Sequence, residues 1–139
     1  MADKIRDLMT PDPATCEPDD SVLDAAKAMK KGDFGAVVVC ENDQVRGILT
    51  DRDIVVRAIS EGKDPSSTRI GDVYTTGPNT LSPGDSIDDA VSAMREADVR
   101  RLPVVEDSRV VGIVSIGDLA VARDERSALA DISAASPNN

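Results

Sequence analysis

Gly47-Ile48-Leu49-Thr50-Asp51-Arg52-Asp53 recurs 65 residues later as Gly112-Ile113-Val114-Ser115-Ile116-Gly117-Asp118. In both stretches a glycine and two aliphatic residues run into a hydroxyl residue, with a carboxylate three positions further on. The match extends outward in both directions without a gap. Over Ile5 to Val55 against Ile70 to Ala120, 19 of 51 aligned positions are identical, where unrelated sequences of ordinary composition give about three. The chain is two copies of one unit, and every later reading has to respect that repeat.

Within each copy the hydrophobic period changes in a fixed order. Val22, Ala25, Ala26 and Met29 recur at helical spacing, as do Ile87, Ala90, Val91 and Met94. Each of these helices opens on Ser-x-x-Asp, Ser21 with Asp24 and Ser86 with Asp89, a relative of the capping box. A β-rich run follows, Ala36 to Cys40 or Arg101 to Val105, then a polar turn, then Val45 to Leu49 or Val110 to Val114. These signals predict a hairpin. A closing helix starts near Asp51 or Gly117, its apolar face in the first copy formed by Ile54, Val55, Ala58 and Ile59. Short extended segments at Ala14 to Cys16 and Asn79 to Leu81 are predicted to add an edge strand. The fold class is therefore α+β, two β-α-β-β-α repeats related by a pseudo-twofold axis and packed as one module. About fifty residues bury too little apolar surface to stand alone, so the two copies are expected to share one core. The predicted organisation is 1–62 for the first repeat, 63–69 for a linker, 70–126 for the second repeat and 127–139 for a C-terminal tail.

Composition excludes several function classes. With 16 Lys+Arg against 26 Asp+Glu the net charge is −10, a field that repels phosphate backbones and anionic lipid headgroups. No run of basic residues offsets it, so neither nucleic acid nor a membrane surface is an expected partner. The longest apolar stretch, Ala36 to Cys40, is far short of the roughly twenty residues of a membrane span, and the first residues lack the apolar core of a signal peptide; a cytoplasmic protein is expected. There is no histidine, which removes Ser-His and Cys-His nucleophile pairs and the commonest transition-metal ligand. Two cysteines cannot build a four-thiolate site, and no metal is expected. Cys16 and Cys40 align with Leu81 and Val105, so both are expected to be buried as small hydrophobes.

The pairs Thr50-x-x-Asp53 and Ser115-x-x-Asp118 bring a hydroxyl and a carboxylate together where a strand meets a helix N-terminus. A carboxylate there can accept both hydroxyls of a ribose, and free backbone N–H groups favour a phosphate. The same atoms also make an ordinary helix cap, and the spacing leaves both roles open.

Two ungapped β-α-β-β-α copies, each closing on Gly, apolar residues and Thr/Ser-x-x-Asp, resemble a pair of cystathionine-β-synthase-type (CBS) domains, a Bateman module. The resemblance runs from Ile5 to about Arg123. It implies a regulatory module with no catalysis of its own, which binds an adenosine-containing ligand (AMP, ADP, ATP or S-adenosylmethionine), signals to a protein partner and forms a homodimer through its helices. It implies no cofactor beyond that regulatory nucleotide. By the same resemblance Thr50 with Asp53 and Ser115 with Asp118 hold ribose and phosphate. The adenine is then lined by Leu102, Pro103, Val104, Thr80 and Leu81 in the second copy, and by Val37, Val38, Val39, Thr15 and Cys16 in the first. The family's apolar-Pro-Val signature is present as Leu102-Pro103-Val104, whereas Val38 replaces the proline in the first copy. Arg52, Arg100 and Arg101 are the cations near the motifs, aligned with Gly117, Gly35 and Ala36. A phosphate needs such cations, so two unequal clefts are expected. The rival reading is a protein-interaction or scaffold module whose Thr/Ser-x-x-Asp residues only cap helices. An enzyme would need a carboxylate mechanism for which no constellation stands out.

Overall fold

The computed structural model describes residues 4–76 and 79–123; the expected tail lies outside them. In chain order the elements are α1 (Ile5–Leu8), β1 (Thr10–Pro11), β2 (Thr15–Cys16), α2 (Val22–Gly32), β3 (Ala36–Glu41), β4 (Gln44–Thr50), α3 (Asp51–Asp53), β5 (Thr75–Thr76), α4 (Ile87–Ala97), β6 (Arg101–Glu106), β7 (Arg109–Ser115) and α5 (Ile116–Arg123). Helix α3 continues as π-helical turns over Ile54–Ile59, and a 3-10 turn spans Ile70–Asp72.

Local chemistry sets these boundaries. Ser21 and Ser86 cap α2 and α4, each hydroxyl accepting from the backbone N–H three residues on, Asp24 or Asp89, at 3.0 Å. Both helices stop at an aspartate in the left-handed region, Asp33 at φ 58° and Asp98 at φ 54°. The hairpins turn through left-handed pairs, Asn42 with Asp43 and Asp107 with Ser108, the arrangement whose twist suits two-residue hairpin loops.

The chain divides into two compact units, but they are not the two repeats. Among the described residues, one is the continuous stretch 14–76; the other combines 4–13 with 79–123. Each unit thus takes its opening segment from the copy that does not supply its hairpin. The continuous unit holds a four-stranded sheet in the order β2-β3-β4-β5, and the split unit a three-stranded sheet in the order β1-β7-β6. β2 runs parallel to β3, while β5 runs antiparallel to β4 and β1 antiparallel to β7. On the split unit's other edge Leu81 makes a parallel bridge to Val104.

Each unit has a core cluster of its own. In the continuous unit Val22, Ala25, Met29, Val37, Val39, Leu49, Ile54 and Ala58 are joined by Ile70 and Val73. In the split unit Leu81, Ala90, Met94, Leu102, Val104, Val114 and Leu119 are joined by Ile5. The exchanged segments explain how so few residues suffice, since burying one Ile or Val side chain contributes about 1.5–3 kcal/mol. Edge strands β1 and β5 and helix α1 were not expected from the sequence. The closing-helix face differs as well: Ile54 and Ala58 point into the core, whereas Val55 and Ile59 are 58% and 51% exposed, beside exposed Val56.

Candidate functional site

Register and alternation put the first hydroxyl–carboxylate pair on a defined sheet face. Val37 stands opposite Leu49 and Val39 opposite Gly47, and these point into the core. The intervening residues share the other face: Ala36 opposite Thr50, Val38 opposite Ile48, with Thr15 beside Val38 in β2 and Thr75 beside Ile48 in β5. Helix α3 starts immediately after Thr50 and returns Asp53 to that hydroxyl. Asp53 N–H donates to Thr50 Oγ1 at 3.1 Å, and Thr50 N–H donates to Asp53 Oδ2 at 3.0 Å. Thr75 Oγ1–H donates to the same carboxylate, 3.2 and 3.3 Å from its two oxygens. Arg57 Nε lies 3.8 Å from Oδ1, and its guanidinium also donates to the carbonyls of Val73 and Tyr74.

The split unit repeats the arrangement with different side chains. Ser115 N–H donates to Asp118 Oδ2 at 2.8 Å and Asp118 N–H donates to Ser115 Oγ at 3.1 Å. Arg101 is the cross-strand partner of Ser115, where the other unit has Ala36 opposite Thr50. Pro103 stands opposite Ile113, in the place that Val38 holds opposite Ile48. Leu102 and Val104 point into the split unit's core.

Strand alternation therefore divides the expected adenine lining. Thr15 and Val38 lie on the face of Thr50, and Pro103 and Arg101 on the face of Ser115. Val37, Val39, Leu81, Leu102 and Val104 belong to the cores, and Cys16 packs against the first of them. Thr80, next to Leu81, is exposed. Arg52 is exposed on α3, its backbone N–H donating to Asp51 Oδ1 at 2.8 Å. A separate cleft of about 150 Å³ between α2 and β2 is lined by Thr15, Cys16, Val37, Asp20 and Asp24 among others, but by neither Thr50 nor Asp53. It is smaller than the roughly 300 Å³ of the smallest usual ligand pockets, and its carboxylates disfavour a phosphate.

Both cysteines are free and only half-buried, not fully enclosed as their alignment predicts. Burial pushes the Cys16 thiol up to about 12, with the charges of Asp20 and Cys40 adding to the effect. Burial, then Asp43, pushes Cys40 up as well. No group of three or more potential metal ligands occurs among the described residues, and none of the described helices is long and apolar enough to cross a membrane.

Thr75 and Arg57 are the site residues that the sequence reading missed. A signal was present for one of them: Thr10 and Thr75 are identical at the repeat offset.

Two hairpin units, each closing on a capped carboxylate over the sheet face opposite its core cluster, define a tandem regulatory module. The chain belongs to the CBS domain family, which it matches over residues 5–59 and 70–125. A curated relative, the CBS domain-containing protein YhcV of Bacillus subtilis, is 39% identical over 117 residues, covering 84% of this chain and 83% of its own. A solved hexameric CBS-CP12 protein from bloom-forming cyanobacteria is 26% identical with a TM-score of 0.80, over 89% of this chain and 74% of its own. The solved CBS domain pair of protein MJ0100, in complex with 5′-methylthioadenosine and S-adenosyl-L-methionine, is 25% identical with a TM-score of 0.78, over 89% of this chain and 98% of its own. CBS-pair proteins are generally regulatory, not catalytic.

Proposed function

We propose that this CBS pair senses an adenosine-containing ligand and passes its binding to a protein partner, with no catalysis of its own. The observation that carries the reading is a hydroxyl–carboxylate pair on the sheet face opposite the core cluster in both units, beside Val38 in one and Pro103 in the other, both of them buried. Asp53 and Asp118 are suited to accept ribose hydroxyls. Arg101, opposite Ser115, is suited to supply the cation that a phosphate needs in the split unit. The adenosine ligands of the MJ0100 pair support the same ligand class here. Exposed Val55, Val56 and Ile59 supply an apolar surface for homodimerisation. Free thiols are at home in a reducing compartment, which supports a cytoplasmic setting.

The scaffold reading has its own support, because the Thr50–Asp53 bonds reproduce the capping box of Ser86 and Asp89 at α4. Titration calorimetry with AMP and S-adenosylmethionine separates the two. Binding is expected, and Asp118→Ala should weaken it about ten- to hundredfold, since hydrogen bonds to a charged group contribute about 1.5–3 kcal/mol. Absence of heat for every adenosine compound at millimolar concentration gives the result to the scaffold reading.

A further inference from the structure

Asp53 is the one buried charged side chain among the described residues, at 8% exposure. Its carboxylate already takes the Thr50 N–H and the Thr75 hydroxyl, and it faces the Arg57 guanidinium. A carboxylate offers about four acceptor positions, so these three partners leave about one, and a ribose gripped through both hydroxyls needs two.

In the split unit the positions are kept but the bonding is not. Thr10 stands opposite Ile113 as Thr75 stands opposite Ile48, and Ala122 aligns with Arg57. Asp118 is half-buried and accepts from Ser115 N–H, with no counterpart of the Thr75 bond among the described residues.

We infer that Thr75, backed by Arg57, is an internal competitor for the first cleft, its hydroxyl taking acceptor capacity at Asp53 that a ligand's ribose requires. The inference rests on the ribose role proposed above for Asp53. Two consequences follow from the competition. The Ser115–Asp118 cleft fills before the Thr50–Asp53 cleft. Filling the latter detaches Thr75 from Asp53, so its occupancy is felt by residues 70–76, the segment that follows the linker.

The test is AMP titration calorimetry on proteins carrying Asp118→Ala, so that the first cleft is followed alone, with Thr75 intact or changed by Thr75→Ser or Thr75→Val. Thr75→Val is expected to bind AMP about tenfold more tightly than the other two, the value of one hydrogen bond to a charged acceptor. Equal or weaker binding by Thr75→Val overturns the competition and leaves Thr75 as a residue that merely orients the carboxylate. A protein with Asp118 intact that takes up no AMP removes the ribose reading itself, and the inference with it. If Thr75→Val does not fold, hydrogen exchange on the unmodified protein decides: AMP added past saturation of the second cleft should speed exchange of the Thr75 and Thr76 amides. Unchanged or slower exchange there overturns the inference.

Discussion

Cys16 packs against Val39 and the first core while part of its surface stays in water, and the two facts make opposite claims on its reactivity. The raised thiol decides between them, because the thiolate is the reactive form. Thiol reagents should label native Cys16 slowly and the unfolded chain quickly; rapid native labelling would overturn the packing argument. The same shift gives a pH dependence. An unfolded Cys16 ionises near 9.0, a folded one near 12, so between those values the unfolded state binds fewer protons and stability falls as pH rises. The contribution is intact below about pH 9. Cys16→Val should flatten the alkaline limb of Tm against pH; an unchanged limb would count against the linkage. At this scale the sequence was partly legible. Thr50 with Asp53, and Ser115 with Asp118, stand out because each pair is local and occurs twice. The Thr75–Asp53 bond spans 22 residues, and no periodicity reports a contact made by sheet register.

Gly47 and Gly112 occupy equivalent places in β4 and β7, where each strand receives its short antiparallel neighbour. A Cβ at Gly47 would clash with the Thr75 carbonyl oxygen and lie 3.0 Å from the Tyr74 ring; at Gly112 it would meet the Met9 side chain and the Thr10 carbonyl. Gly47→Ala should therefore destabilise by about 1–3 kcal/mol, the usual cost of overpacking, as read by denaturant unfolding. It should also push β5 away from Asp53. A variant as stable as the parent would show that β5 docks loosely. Hairpins and the first helix of each copy were legible because their turn and cap residues act locally. The closing helix of the first copy was legible only in part: it winds with an i→i−5 bond, Ser60 N–H donating to the Val55 carbonyl, and of the expected face Ile54 and Ala58 are buried while Val55 and Ile59 stay exposed.

For the whole molecule, the exposed Val55, Val56 and Ile59 lead to a test of assembly. Light scattering at micromolar concentration should give twice 14.7 kDa, about 29 kDa. Ile59→Asp should move the mass toward the monomer without lowering its unfolding midpoint, because that side chain is 51% exposed. A 14.7 kDa species at every concentration would rule out the dimer. The exchange of opening segments between units was invisible in the sequence for a physical reason. Ile5 and Ile70 carry the same pattern into equivalent sockets, and a repeat looks identical whether each copy fills its own socket or the other's.

That exchange also orders events during synthesis. Ala14–Pro78 is one run of chain, so all of its parts exist once residue 78 has left the ribosome. Residues 4–13, made before any of it, belong with strands that end at Ser115. At about 5–20 residues per second, the 37 residues from 78 to 115 take roughly two to seven seconds to make. Over that interval α1 and β1 have no sheet to join, and Ile5, Leu8 and Met9 wait in water. A segment made early is thus seated late, and a nascent chain halted at residue 78 would hold the continuous unit behind an apolar stretch open to capture by a chaperone.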